Sequence, residues 1–248
     1  MLDKLKYKVK TQIIGFSTKV SFLDLAIMKI RKYRKSKRVN PNKSEHAESV
    51  LQLIKNSNLK VFPMFGTLLS IYRDGKFIYA DDYDFALMEG QQLDIEVINK
   101  MNHFGAVLVA FSIVGDDLVE LSFDFNGVRI DFFQLDYSKE KITHRCPNFR
   151  KERPDIDFSK LIKKKYQTYF SVDYVLFELE FNQSWGVYIP TDCEKIFERH
   201  YGLDWRTPKM SNFIDFSNYD FKELDSYNVC GEQGLLIHEL ETKFNNLN

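Results

Sequence analysis

The dipeptide Asn126-Gly127 constrains the fold of this chain more than any other feature. It joins two arms, residues 119–125 and 128–133, in which apolar and polar residues alternate. This combination is the strongest short-range signal of a β-hairpin, because both turn residues adopt positive φ angles. Three apolar residues of the second arm share one side: Val128, Ile130 and Phe132. Asp131 is therefore expected on the opposite side of that strand.

A second informative stretch spans residues 62–88. It opens apolar, passes through Gly66-Thr67 into a short helical pattern ending at Arg73, and turns at Asp74-Gly75. An extended segment follows and carries three carboxylates: Asp81, Asp82 and Asp84. On a strand, residues two apart share a face and lie roughly 6.5–7 Å apart. Asp82 and Asp84 are thus predicted side by side.

Neighbouring carboxylates repel each other unless one is protonated or a cation lies between them. Mg²⁺, with Mn²⁺ as an alternative, suits such a pair because it binds one or two carboxylates and completes its shell with water and phosphate. Asp131 becomes a third ligand if its strand pairs with the acidic strand. Solvated turn carboxylates are the common alternative. The apolar residues 85–88 favour the metal site, because carboxylates that enter a core need a partner.

The residues around Gly66 indicate a phosphate site. Gly66 permits close approach of the backbone to a ligand, and the amides of Gly66 and Thr67 would begin the following helix. Arg73 either binds a donor phosphate or pairs with Asp74 or Asp81. Two aromatic residues nearer the C-terminus, Tyr201 and Trp205, are candidates to stack on a base or sugar, or are ordinary core residues.

Several short motifs occur in a fixed order between residues 60 and 208: Gly66-Thr-Leu-Leu, Arg73, Phe77-Ile, Asp82-Tyr-Asp84, Arg129-Ile-Asp-Phe-Phe133, Ile189-Pro-Thr-Asp, and His200-Tyr-Gly-Leu-Asp-Trp-Arg-Thr-Pro208. In this order they resemble the LicD and fukutin group of phosphotransferases. The chain differs by having Tyr79-Ala80 where the family usually has Pro-Trp, and its acidic run is one residue shorter. Asp81 is accordingly either a ligand or only a neighbour of the ligands.

The resemblance implies a nucleotidyltransferase-like fold and a metal-dependent reaction. In that reaction a phosphorylated alcohol passes from a CDP-linked donor to a hydroxyl of a glycan or glycolipid, CMP is released, and the product contributes to a cell-surface polysaccharide such as a capsule. Ribitol phosphate, glycerol phosphate and phosphocholine all fit, and the resemblance to fukutin favours a polyol phosphate. Two alternatives stay open: transfer of a nucleoside monophosphate, and a catalytically inactive glycan-binding subunit.

Charge is distributed unevenly, although the 248 residues contain 35 basic and 35 acidic side chains. Residues 1–44 contain 13 Lys/Arg and 2 Asp/Glu, which gives them a charge of +11 and the remainder −11. Residues 1–38 alternate basic and apolar residues in a pattern typical of amphipathic helices. They would bind an anionic membrane surface or pack on the domain. Nucleic acid is not an expected partner, because the rest of the chain would repel it.

The expected organisation is a basic helical appendage, residues 1–44, followed by a catalytic domain, residues 45–248. The domain is predicted to be α+β, with helices flanking a mixed sheet. The predicted order is helix, strand, short helix, strand, helix and three strands, followed after residue 165 by an extended segment at 170–181 and helices near 192–202 and 232–244. Residues 136–165 give no clear pattern. Three widely separated cysteines and no membrane-spanning run predict a reducing, cytoplasmic location, peripheral on the inner face of the membrane if the appendage binds lipid.

Overall fold

The computed structural model describes residues 43–77, 82–149, 160–209 and 213–244. The predicted appendage, apart from its last two residues, and Asp81 lie outside these ranges. The described residues form five α-helices: α1 (Lys43–Ser57), α2 (Phe65–Asp74), α3 (Ile95–His103), α4 (Cys193–Tyr201) and α5 (Gln233–Phe244). They form eleven strands: β1 (Val61–Pro63), β2 (Asp82–Leu87), β3 (Val107–Val114), β4 (Asp117–Phe125), β5 (Val128–Phe133), β6 (Leu135–Tyr137), β7 (Lys141–Pro147), β8 (Ile162–Val175), β9 (Leu179–Asn182), β10 (Val187–Pro190) and β11 (Asp220–Cys230).

Nine of these strands form one mixed sheet in the order β1-β2-β5-β4-β3-β11-β8-β7-β6. Among the strand pairs in the described ranges, only β2–β5 is parallel. β9 and β10 form a separate antiparallel ribbon. The sheet is curled, so that β7 approaches β4 although the two are not neighbours in the strand order. Arg145 on β7 donates hydrogen bonds to Asp117 at the start of β4 and to Asp136 on β6. The α+β class with a mixed sheet is therefore confirmed.

The hairpin predicted at Asn126-Gly127 is present and joins β4 to β5. Both turn residues have positive φ, 54° at Asn126 and 82° at Gly127. The last ladder pair before the turn is Phe125 with Val128. The turn therefore fixes the register of β4 against β5, and with it the face that each side chain occupies.

The sheet separates two apolar cores, and consecutive residues enter different ones. Phe85 and Phe132 belong to one core, with buried residues of α1, α3 and α5. Ala86 and Phe133 belong to the other, with residues of α2 and α4. Because neighbouring residues on a strand point to opposite faces, β2 and β5 are enclosed on both sides. Carboxylates on the second face therefore enter a partly dry environment.

The strands of the C-terminal half are the main difference from the sequence-based expectation. β6, β7 and the beginning of β8 form in the stretch without a clear pattern, and β11 was not predicted. Most side chains at the beginning of β11 are exposed, so this strand lacks the apolar alternation that marks a half-buried strand. Its pairing with β3 and β8 fixes it instead. No helix in the described ranges is long and apolar enough to cross a membrane.

Candidate functional site

Asp84 and Asp131 lie next to each other on parallel strands. In the register of β2 and β5, Asp84 pairs with Asp131 and Asp82 pairs with Arg129. Paired residues on neighbouring strands share a face about 4.8 Å apart. This face is the one opposite Tyr83 and Phe132, which are buried in the first core. The three aspartates expected from the sequence are thus on one face of two adjacent strands.

Helix α2 holds the acidic strand in place through three contacts with Asp84. The amide of Met64 donates to the Asp84 carbonyl at 2.9 Å, and the amide of Asp84 donates to Thr67 Oγ1 at 2.8 Å. The backbone N–H of Gly66 donates to the Asp84 carboxylate. Phe65, at the start of the helix, has a φ of +44°, a conformation that few L-residues adopt. Thr67 is buried, and its hydroxyl supports the strand.

The electrostatic environment opposes ionisation of Asp84. Burial is the first cause of a pKa well above the ordinary range, although the residue keeps a partly exposed edge. The negative charges of Asp82, Asp131 and Glu120 raise the pKa further, and the Gly66 N–H lowers it. A cation beside this carboxylate would relieve all three repulsions.

Asp131 is in a similar environment. Burial, followed by the charge of Glu120, raises its pKa to about 7, while Arg129 and a hydrogen bond from Ser122 act in the opposite direction. Its Oδ1 is buried and has no hydrogen-bond partner within the described chain. The nearest cation is Arg129, whose Nε lies 3.6 Å from that oxygen, close enough for an ion pair but too far for a hydrogen bond. Asp131 thus has a buried oxygen that is free to accept.

These features fit a hard divalent cation held by few protein ligands. Among the described residues, no three His, Cys, Asp or Glu side chains are arranged to hold a metal ion. Mg²⁺ does not require three, because it binds proteins through one or two carboxylates and takes water and phosphate oxygens for the rest. Asp84 and Asp131 supply such a pair. Asp82 lies two residues before Asp84, at the exposed start of β2.

Glu120 is a further acidic residue near the pair that the sequence analysis did not select. It accepts a hydrogen bond of 2.6 Å from Ser112 on β3, and Ser112 accepts one from Asn228 on β11. Ser122, two residues along β4, pairs in register with Asp131. The signal was present in the sequence, because Glu120 and Ser122 alternate with the apolar residues Val119, Leu121 and Phe123 of their strand.

A cavity of about 260 Å³ runs along one side of α2, from Gly66 near its first residue to Asp74 at its last. It is lined by Gly66, Leu69, Ser70, Arg73, Asp74, Tyr201, Trp205, Thr207, Pro208, Lys209 and Phe213. Four of the residues selected from the sequence as donor-binding or stacking candidates are in this lining, and Gly66 connects the cavity to the carboxylates through its bond to Asp84. A second cavity of about 270 Å³ lies between β1 and α3, at the other end of β2 from the carboxylates.

The side chains of the first cavity have defined partners. Arg73 makes two hydrogen bonds to Asp74, at 2.9 and 3.0 Å, so the ion pair considered from the sequence is present at the cavity wall. Tyr201 is 7% exposed and Trp205 is 3% exposed. The Trp205 indole N–H has no partner within the described chain, and the guanidinium of Arg206 lies over its ring at 4.1 Å. The aromatic wall is thus largely formed before any ligand binds.

The chain was compared with models of protein families, with curated proteins and with solved structures. None of them matches.

Proposed function

We propose that this chain is a metal-dependent phosphotransferase with a nucleotidyltransferase-like fold. It transfers a phosphorylated alcohol from a CDP-linked donor to a hydroxyl group of a glycan, and CMP leaves. The observation that carries the proposal is the Asp84–Asp131 pair beside Gly66. This pair consists of two carboxylates with raised pKa values beside the first turn of a helix, and Gly66 of that turn also lines a cavity with aromatic walls. Cation, phosphate and nucleoside each have a complementary surface there.

Each residue has a distinct role in this proposal. Asp84 and Asp131, assisted by Asp82, hold Mg²⁺ or Mn²⁺, which when bound neutralises phosphate charge and polarises the phosphorus for attack. The backbone amides of the first turn of α2, beside Gly66, and the guanidinium of Arg73, once released from its ion pair with Asp74, would orient the donor phosphates. The new bond forms between the acceptor oxygen and the phosphorus next to the alcohol, and the bond from that phosphorus to CMP breaks. Catalysis rests on positioning and charge compensation.

The motif order supports this donor class over other phosphate compounds. The resemblance to the LicD and fukutin group involves the same residues that meet at the site, including Gly66, Asp84, Asp131 and Trp205. Within that class we favour a polyol phosphate, because the Tyr-Arg after the Gly-Thr-Leu-Leu segment and the phenylalanine pair after Asp131 are more similar to fukutin. In this proposal Tyr201 and Trp205, which belong to the second core and line the cavity, would contact the base or sugar of the nucleotide.

Ligand-induced stabilisation tests the proposal. A ligand that binds only the folded chain raises its melting temperature, so CDP-ribitol, CDP-glycerol and CDP-choline are screened with and without Mg²⁺. We expect at least one to stabilise the wild type only with Mg²⁺, and Asp84→Asn to abolish the effect. Asp116→Asn, in an exposed turn, is the matched control and should respond as the wild type does. Metal-dependent binding that survives in both Asp82→Asn and Asp84→Asn would reject the assignment.

Product mass then distinguishes the proposed reaction from nucleotidyl transfer. In the proposed reaction the acceptor gains the mass of an alcohol phosphate, whereas in nucleotidyl transfer it gains a nucleoside monophosphate. A glycan-binding subunit without activity would bind the acceptor and leave both donor and acceptor unchanged.

A further inference from the structure

Arg129 lies on the same strand face as the carboxylates but is only weakly engaged. It is two residues before Asp131 on β5 and pairs in register with Asp82 on β2. Its ion pair with Asp131, at 3.6 Å from Nε, is the one ion pair of its guanidinium in the described part of the chain, and no side-chain hydrogen bond accompanies it there. About a third of the side chain, 30%, is exposed. An arginine beside several acids would normally form short bidentate bonds, as Arg73 does with Asp74.

The incomplete pairing leaves most of the guanidinium donors available. Arginine presents five N–H groups in a planar fork that matches phosphate oxygens. Arg129 partly compensates the charge of Asp131. A divalent cation on the carboxylates would take over that compensation, because its charge is larger and its distance shorter. The attraction between Arg129 and Asp131 would then be screened, and the fork would be free for another anion.

We propose that Arg129 is a phosphate-binding residue of the donor site that exchanges Asp131 for a phosphate oxygen of a nucleoside diphosphate when the metal binds. This inference rests on the proposed function and adds a residue to it. Arg73 is bonded at the cavity wall, whereas Arg129 lies among the acids. The two arginines would therefore contact the ligand from different elements, Arg73 from α2 and Arg129 from β5.

The exchange predicts opposite effects on two binding reactions. Calorimetry is carried out on the full chain with Mg²⁺ alone, with Mg²⁺ and CDP, and with Mg²⁺ and pyrophosphate. In Arg129→Gln the affinity for Mg²⁺ alone should be unchanged or rise several-fold, because a positive charge beside the carboxylates is removed. Affinity for CDP and for pyrophosphate with Mg²⁺ should fall about 10- to 100-fold, the usual effect of losing hydrogen bonds to a charged group.

Two further variants control for charge and folding. Lys100→Gln removes a positive charge from the surface of α3, where Lys100 pairs with Glu96, and should leave all three affinities as in the wild type. Arg129→Lys keeps the charge and the ion pair but loses the fork, so its CDP affinity should lie between those of wild type and Arg129→Gln. If Arg129→Gln does not fold, Arg129→Lys still tests the inference.

The outcomes separate this inference from the proposed function. If Arg129→Gln lowered the affinity for Mg²⁺ alone and the affinity for CDP with Mg²⁺ by the same factor, Arg129 would only maintain the site. That result would overturn the inference. So would wild-type affinity for CDP in both Arg129 variants, while the proposed function would stand. Arginine-dependent binding of pyrophosphate without any preference for CDP would support Arg129 as a phosphate ligand and reject the CDP-linked donor. A wild type that binds neither anion with Mg²⁺ would reject both.

Discussion

Thr67 Oγ1 accepts a hydrogen bond of 2.8 Å from the backbone N–H of Asp84 and so connects the first turn of α2 to the acidic strand β2. The hydroxyl is buried, with Thr67 3% exposed, and the residue before it, Gly66, donates to the carboxylate of the same aspartate. Backbone and side chain of Asp84 are therefore held by two consecutive residues. A Gly-Thr pair is suited to this position. Gly66 leaves space beside the Asp84 carboxylate, and Thr67 supplies the acceptor for the Asp84 N–H.

Thr67→Val should destabilise the fold without changing the shape of the side chain. The valine methyl cannot accept the Asp84 N–H, and an unpaired buried donor costs about 1–3 kcal/mol. Urea unfolding followed by circular dichroism measures the difference in the free energy of unfolding. Thr67→Ser keeps the acceptor, so its free energy of unfolding should fall clearly less than that of Thr67→Val. Equal stability of Thr67→Val and wild type would show that the Asp84 N–H does not depend on this hydroxyl.

Gly66→Ala should separate stability from ligand binding. A Cβ at this position would meet no atom closer than Asp84 Oδ2 at 3.8 Å, so the fold accommodates it, and the helix gains between zero and about 1 kcal/mol. The added methyl group would occupy the space between the backbone and the carboxylate, where a phosphate is expected. We therefore predict that affinity for CDP with Mg²⁺ falls at least tenfold in calorimetry while urea unfolding shows no loss.

The control for that prediction is Gly234→Ala in α5. A Cβ there meets nothing within 4 Å, and the site is in a helix like Gly66. It should show the same small effect on stability and wild-type affinity. Loss of affinity in both variants would contradict a specific role for Gly66.

Asp131→Asn should stabilise the metal-free chain at alkaline pH. The folded-state pKa of Asp131 is raised to about 7 from about 3.8, so the stability associated with its protonated form is present below pH 3.8 and is lost as pH rises through about 7. Asparagine cannot ionise and avoids that loss. In EDTA the variant should exceed the wild type by up to about 4 kcal/mol at pH 8, since each pKa unit corresponds to about 1.4 kcal/mol. The difference should disappear near pH 4.

Addition of Mg²⁺ should reverse the order at pH 8, because the wild type gains binding energy that the variant lacks. The exposed turn variant Asp116→Asn should follow the wild type at every pH. A stability difference for Asp131→Asn that is the same at pH 4 and pH 8 would indicate a packing effect instead of a charge effect.

His144→Leu should make the fold less sensitive to acid. The ring is 4% exposed, packs against Phe65 and Phe133, and has no hydrogen-bond partner for either nitrogen in the described ranges. Burial lowers its pKa to about 3. The stability from the neutral ring is present above the unfolded-state pKa of about 6.5, and it declines by about 1.4 kcal/mol per pH unit as pH falls toward 3.

Leucine removes this titration and the unpartnered nitrogens. The variant should be more stable by about 1–3 kcal/mol at pH 7 and by more at pH 5, as measured by urea unfolding. His238→Leu, on the exposed side of α5, should keep the acid slope of the wild type. A parallel slope in wild type and His144→Leu would contradict the low pKa. Burial also lowers the pKa of His200 to about 3. His200 therefore adds to the dependence of stability on acid that remains in His144→Leu.

Local sequence patterns accounted for the hairpin, for helix α2 and for the side of β5 that carries Asp131. Each depends on few neighbouring residues: a turn dipeptide that requires positive φ, a glycine at φ 60° that ends α2, and an alternation of period two. The same reasoning failed for β6, β7, the beginning of β8 and β11, whereas residues 170–175 of β8 lie in the segment that was predicted to be extended. β6 and β7 pair with each other over a short turn, and the start of β8 carries polar, half-exposed side chains. β11 is held by β3 and β8, which are distant in the sequence, and its exposed first half has no local feature that distinguishes it from a loop.

The sequence by itself determined which side of each strand is acidic. It placed Asp82 and Asp84 on one face of β2 and Asp131 on the polar face of β5, because the chirality and pleat of a strand alternate its side chains whatever its neighbours are. Only the tertiary structure decided that β2 and β5 are parallel neighbours, that Asp84 lies beside Asp131, and that Arg129 and Glu120 join them. Pairing partner and register depend on how two cores and a curled sheet close together, which no short segment specifies.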